Sequence, residues 1–438
     1  IHTLPLTLVN LGKIKRVEVI NSLKDSKDEY TISEEGKRDK FCYYKVHIRK
    51  GQDEQAKFFA KMTSVNTALS VELDSLETKE LISVSKKTPY LFRDFPLIGS
   101  EKFFFPFILN GFKFNPKDDR DGLLLHSMES VEALENRQFI EEAFELAKDF
   151  IKVLIEEKVK NRYVFANSRL PGESWENFSK DWYVGLQTEY RQYLLDLPIV
   201  ETEESEIANL KNCVVPNFGA SDETKKDFYS IVIPFLGQHM VPARSIILSW
   251  INALGPSDEL ELWGHPVNYN LDRFIDDLET IGGIKDLDQI IKGDTSSISW
   301  LNKVYQFLIK ENQIEHLQKP DIIPTMNGDF KALKELHEED ENSVIPDEIL
   351  DTLDLLGFKW RDEIIHREIK LPGQNIEKRD LVKASHTINE VLKKESKNKY
   401  GVYESDFMKK ENAFQILVSL LCNVETLDSI DNLQTLGY

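Results

Sequence analysis

Apolar and polar residues alternate along residues 15–20 (KRVEVI) and 41–48 (FCYYKVHI), and more briefly along the aromatic stretch 56–62. A period of two predicts strands with one covered face. Residues 103–109 (FFFPFIL) form a nearly continuous apolar run, as expected of a strand buried on both faces. Pro106 inside that run cannot donate to a ladder, so an edge position or a bulge is expected. Gly36, Gly51, Gly99 and Gly111 punctuate these runs and are read as turns.

The period changes after Ser130. Phe139, Ala143, Ala147, Phe150, Ile151 and Leu154 recur at mostly three- and four-residue steps, which predicts one apolar helix face. A second helix is expected over 173–195, with Trp175, Phe178, Trp182, Leu186, Tyr190 and Leu194 as its core-packing stripe. The acidic run at 201–206 (ETEESE) lacks an apolar face and is read as a linker. Further helices are expected over 243–254 and 299–313, separated by Gly255-Pro256, Gly282-Gly283 and Pro320. Asn327-Gly328 is a tight-turn signal and predicts a small strand pair near 322–330. The fold class is therefore α+β: a sheet domain over 1–130, a helical connector over 131–200, and a mainly helical domain over 201–438.

Composition narrows the function classes. A chain of 438 residues is expected to hold more than one core. A net charge of −20 opposes broad binding to nucleic acid or to an anionic membrane, since both repel an acidic surface. No stretch of about 18 apolar residues occurs, so no membrane-spanning helix is expected. Cys42, Cys213 and Cys422 form neither a CxxC pair nor a zinc pattern, which fits a reducing, cytoplasmic setting. The chain opens Ile-His-Thr-Leu-Pro, as if in mid-element, and is expected to be part of a longer protein.

Candidate chemistry concentrates at 88–125. The mixed-charge loop Asn115-Pro116-Lys117-Asp118-Asp119-Arg120-Asp121-Gly122 presents two cations within four residues. Arg120 first, and Lys117 second, could meet a terminal phosphate and stabilise charge during phosphoryl transfer. The competing reading is that Arg120 pairs with Asp118, Asp119 or Asp121 and only closes the loop. Arg93-Asp94, inside an apolar run, is read as a structural ion pair, because buried charge needs a partner. His239, His265 and His366 lack metal-ligand spacing. The acidic cluster at 338–341 lacks the alternating ligands and central glycine of a calcium loop, and is read as solvated. Phosphate-cradling motifs such as GxxxxGK[ST] and GxGxxG are absent, as is the nucleophile elbow GxSxG. No cofactor or metal site is expected within the chain itself.

Residues 89–101 (PYLFRDFPLIGSE) resemble the LF-x-DFPLIGTE signature of the sacsin-like branch of the GHKL ATPases, which is related to the ninety-kilodalton heat-shock chaperones. Residues 114–122 (FNPKDDRDG) are similar to that branch's FNPTEPRDG loop. Ile323-Pro324-Thr325-Met326-Asn327-Gly328-Asp329-Phe330, followed by Leu356-Gly357 and Trp360-Arg361, is similar to its PNQxGxF … LGxxxR element. The Glu/Asn helix, DxGxG loop and glycine-rich lid of a GHKL nucleotide pocket are missing. The resemblance thus implies a region after the ATPase domain, with residues 1–130 as a transducer-like middle domain. Its loop would carry Arg120, or else Lys117, to a nucleotide bound next door. ATP and magnesium belong to the intact protein. The implied partner is the N-terminal ATPase domain of the same protein; a client and a homodimer are open. The implied role is coupling ATP state to conformational change, chaperone-like or in prokaryotic antiviral defence. This chain alone would be inactive. The rivals are a GHKL DNA-repair or topoisomerase-type machine and a non-catalytic interaction scaffold.

Overall fold

The computed structural model describes residues 3–22, 26–125, 130–171, 179–291, 295–392, 395–397 and 403–405. The fold is α+β. The chain forms two compact units: residues 1–229 with 236–269, and residues 230–235 with 270–438.

The first unit opens with a short helix α1 (Leu4–Leu11) and then a run of strands: β1 (Arg16–Asn21), β2 (Ser26–Arg38), β3 (Phe41–Lys50), β4 (Asp53–Thr63), β5 (Thr67–Leu73), β6 (Leu81–Ile82), β7 (Leu91–Arg93), β8 (Phe95–Pro96) and β9 (Ile108–Gly111). They build one nine-stranded sheet in the order β1-β2-β3-β4-β5-β9-β7-β8, with β6 also on β5. The first five strands are an antiparallel meander, whereas β7 runs parallel to β9. The expected strands at 15–20, 41–48 and 56–62 are β1, β3 and β4.

Side chains alternate across β3, so its two faces are covered separately. Val46 and Ile48 join Leu8 and Val9 of α1, with Tyr30, Ile32 and Phe59, in one apolar cluster. Phe41 faces the other way, its ring 6.1 Å from that of Phe150 in the long helix α2 (Val131–Glu156). Ser130 caps α2, its Oγ accepting from the Ala133 N–H at 3.2 Å, a contact worth about 1 kcal/mol. The helix buries Ile140, Ala143, Phe144, Ala147, Phe150, Ile151 and Leu154. Fully burying each large side chain of that set contributes roughly 1.5–3 kcal/mol.

Two expectations about the sheet are corrected. The run 103–109 is not one strand: a 3-10 turn at Ser100–Phe103 precedes it, and β9 begins only at Ile108. Pro106 therefore sits before the ladder, and β9 takes a central place between β5 and β7. Gly36 is not a turn either. It lies inside β2 at a register shift, where one extra residue bends the strand.

Helix α3 (Lys180–Leu195) buries Tyr183, Gln187, Tyr190, Arg191 and Leu194. This face is rotated from the expected stripe, because polar Gln187 and Arg191 go inside while Trp182 reaches outward to Glu141. Trp175 and Phe178 lie outside the described residues. The acidic run at 201–206 is no linker. It turns the hairpin between β10 (Pro198–Glu201) and β11 (Ile207–Asn209), closed by the Thr202 N–H donating to the Glu206 carbonyl at 2.8 Å. Strand β12 (Val215–Pro216), helices α4 (Asp222–Leu236) and α5 (Ile247–Leu254), and strand β13 (Asn268–Tyr269) follow.

The second unit holds α6 (Leu271–Glu279), α7 (Ile284–Ile290), α8 (Ser297–Lys310), α9 (Glu315–Gln318), α10 (Asp347–Leu356) and α11 (Leu381–Leu392). The small strand pair is present: β14 (Ile323–Pro324) pairs antiparallel with β15 (Phe330–Lys331) around Asn327-Gly328. Strands β16 (Glu338–Glu339) and β17 (Lys378–Arg379) pair in parallel. Ile349, Leu350, Leu353, Trp360, Ile364 and Ile388 belong to its apolar core. No helix among the described residues is long and apolar enough to cross a membrane.

Candidate functional site

The loop at 115–123 is built from its two ends inward. Asn136 of α2 is fully buried and grips both feet. Its Oδ1 accepts from the Asn115 N–H at 2.9 Å, and its Nδ2 donates to the carbonyls of Asn115 at 2.9 Å and Leu124 at 3.3 Å. Pro116 and Leu123 form a β-bridge above those feet. The Lys117 N–H donates to the Gly122 carbonyl at 3.0 Å, and the Arg120 N–H to the Lys117 carbonyl at 2.8 Å. Arg120 thus stands at the tip with φ of 53°. That left-handed conformation costs a residue with a Cβ roughly 1–2 kcal/mol, so the surrounding hydrogen bonds must enforce it.

Arg120 does not pair with Asp118, Asp119 or Asp121. The loop's ion pair is Lys117 with Asp121, at 3.9 Å. The exposed Arg120 guanidinium donates through Nη2 to the backbone carbonyl of Arg93 at 3.3 Å. Of the two candidate cations, then, Lys117 is engaged within the loop, and Arg120 forms no ion pair with a carboxylate among the described residues.

The structure also brings the segment 91–101 against this loop. Gly99 has φ of 111°, and a Cβ placed there would lie 2.2 Å from the carbonyl oxygen of Asp121. Only glycine allows that approach. Asp94 is exposed, and its N–H donates to Asn110 Oδ1 at 2.9 Å. Arg93 donates through Nε to the Phe112 carbonyl at 3.3 Å. The expected Arg93–Asp94 ion pair is therefore absent; a backbone carbonyl satisfies the half-buried Arg93 instead. Phe95 and Ile98 stand outward, 53% and 69% exposed. Arg120 is set in a surface that also displays these two apolar side chains.

Sequence reasoning missed a second polar locus in the same unit. Arg191 of α3 is fully buried and is ion-paired to Glu259, itself 5% exposed. Arg191 also donates to the carbonyls of Glu259 at 2.8 Å and Ser168 at 3.0 Å, and lies 5.6 Å from the Trp263 ring centre. Glu259 accepts the Leu170 N–H at 3.1 Å. The signal was present as a charged residue on the buried face of a helix, but its partner lies 68 residues away in the chain.

The remaining candidates are structural. Among the described residues no group of histidine, cysteine and carboxylate side chains could hold a metal. His265 Nε2 lies 2.9 Å from the Lys211 carbonyl, and His366 Nδ1 accepts the Glu368 N–H at 3.3 Å. Glu339 is not solvated as expected. Its side chain is 8% exposed and pairs with Arg367 at 2.8 Å, which offsets the cost of covering it. Residues 323–330 and 360–365 do meet: the Met326 N–H donates to the Ile364 carbonyl at 2.9 Å. Arg361 there is bound to Asp351 at 2.8 Å and Asp354 at 2.5 Å, so it ties the chain to α10. Cys42 and Cys213 are buried free thiols, and burial pushes the Cys213 thiol up to about 11. Cys422 lies outside the described residues.

Comparison with protein-family models, with curated proteins and with solved structures finds no match to this chain.

Proposed function

We propose that this chain is the middle and post-ATPase part of a sacsin-like, heat-shock-90-related protein, and that it couples the nucleotide state of an upstream GHKL domain to conformational change. Arg120 is the residue that reaches the terminal phosphate, and Lys117 shapes the loop that carries it. The observation that supports this most is the convergence of the two signature segments on Arg120. Gly99 and Arg93 hold the loop from one side and Asn136 from the other. Among the described residues the cation at the tip has no carboxylate partner, although three aspartates flank it in sequence. A preorganised cation of this kind stabilises charge that develops on a transferring phosphoryl group. The exposed Phe95 and Ile98 fit a surface that rests against the ATPase domain.

Arg120→Ala in a protein that contains the upstream domain tests the reading. Steady-state turnover of ATP should fall by about 10³-fold, with an unchanged melting temperature. Unchanged turnover removes Arg120 from the mechanism and leaves the interaction-scaffold reading.

A further inference from the structure

A groove of about 930 Å³ opens in the first unit, and neither Arg120 nor Lys117 lines it. Among the described residues four cations line it, Lys86, Lys102, Arg169 and Lys225, against the one carboxylate of Glu101. That balance is the reverse of the whole chain, whose net charge is −20. Glu101 is already engaged, its Oε2 accepting the Gly99 N–H at 2.8 Å.

Arg169 forms the floor. Its Nη1 donates to the carbonyls of Ser168 and Ala253, both at 2.7 Å. Among the described residues its Nε and Nη2 have no hydrogen-bond partner and no carboxylate forms an ion pair with it. Glu259, whose charge acts on it, is committed to Arg191. Burial, with the charge of Arg191 nearby, lowers the Arg169 pKa to about 10. Tyr90 is 3% exposed and lines the same groove, and among the described residues its hydroxyl has no hydrogen-bond partner. A hydroxyl and a guanidinium edge that both face the groove offer three donors to an acceptor-rich ligand. The half-buried Tyr163 offers an apolar face beside them.

We propose that this groove binds an organic phosphate. The phosphate oxygens accept from Arg169 Nε and Nη2 and from the Tyr90 hydroxyl, Lys86 and Lys225 supply charge at the rim, and the organic body lies along Tyr163. A planar fork of donors beside a hydroxyl suits a phosphate better than a single carboxylate, because a phosphate presents three oxygens to three donors.

Calorimetric titration of this chain with AMP, inorganic phosphate and acetate tests the assignment. The expected result is saturable sub-millimolar binding of AMP, weaker binding of phosphate, and none of acetate. Tyr90→Phe removes one hydroxyl and keeps the ring, and should weaken AMP about tenfold. Lys225→Gln at the rim and Arg169→Lys at the floor should each weaken it as well. No saturable heat with AMP at concentrations up to about 10 mM overturns the proposal. So does an AMP affinity that is the same in correctly folded Tyr90→Phe and Lys225→Gln. Phosphate binding as tightly as AMP overturns the organic body, and acetate binding as tightly overturns the phosphate class.

Discussion

Arg120 and Arg191 belong to the same compact unit and solve opposite problems. Arg191 is sealed inside, where a charge is tolerated only because Glu259, two backbone carbonyls and the Trp263 ring surround it. Arg120 stands in solvent and holds one backbone carbonyl. The first is part of what keeps α3 in place. The second contributes little to stability, yet the chain spends a left-handed residue, a fully buried asparagine and a glycine contact on positioning it. Structure devoted to placing a group that does not itself stabilise the fold is a reason to look for a partner outside the fold.

The comparison breaks first at Arg191. Arg191→Met strands a buried carboxylate and should lower unfolding free energy by about 3–5 kcal/mol, measured by urea denaturation. The double variant Arg191→Met/Glu259→Gln should recover part of that loss. If Arg191→Met unfolds like the parent, the buried pair does not hold the helix.

Asn136 comes next, because it serves the exposed loop from within the core. Asn136→Ala removes three hydrogen bonds and leaves buried backbone groups unpaired, so a loss of about 2–3 kcal/mol is expected. Hydrogen exchange should speed up at residues 115–124 more than in β3 and β4. Uniform loosening would mean that the loop is not separately anchored.

Lys61 is an intermediate case, a cation 7% exposed whose Nζ donates to the Val9 carbonyl at the end of α1, at 2.8 Å. Burial lowers its pKa from 10.5 to about 8. Between those values the unfolded chain binds more protons than the folded one, so this group's contribution to stability rises with pH across that window. Below pH 8 the penalty for burying the charge is present in full. Lys61→Met should therefore stabilise the protein by about 1–2 kcal/mol at neutral pH, after the loss of the bond to Val9. The difference from the parent should shrink as pH rises from 8 toward 10.5. A difference that is flat with pH would show that Lys61 is solvated in the folded state.

The smallest effect is expected at Arg120 itself. Arg120→Ala should change stability by no more than about 0.5 kcal/mol, as for exposed residues generally, even though its effect on turnover is expected to be large. A large destabilisation would place Arg120 with Arg191 as a residue that holds the fold.

Much of the sheet was legible because alternation reports one covered face without reference to what covers it. β1, β3, β4 and the β14–β15 hairpin follow from local pattern and turn chemistry alone. So does α2, from its apolar period and Ser130 cap. Strand β2 escaped, because its C-terminal half is exposed and carries no apolar alternation. The run at 103–109 misled for a different reason. Burial on all sides comes from the rings of α2 and α3 packing around Phe105 and Phe107, not from a ladder. The acidic run at 201–206 misled because charge marks exposure, and a hairpin turn is as exposed as a linker.

By itself, then, the sequence determined the α+β class, the loop that places two cations within four residues, and the lack of any phosphate-cradling glycine motif in this chain. Those properties are local, set by backbone preference and side-chain type within a few residues. Only the tertiary structure decided which cation is engaged and which is left open. It paired Lys117 with Asp121 and aimed Arg120 at the Arg93 carbonyl, buried Arg191 on Glu259, and set Arg169 and Tyr90 together on the wall of a groove. Each of those outcomes depends on the distance between charges and on how much water remains around them, and both are set by segments that are remote in the chain and adjacent in space.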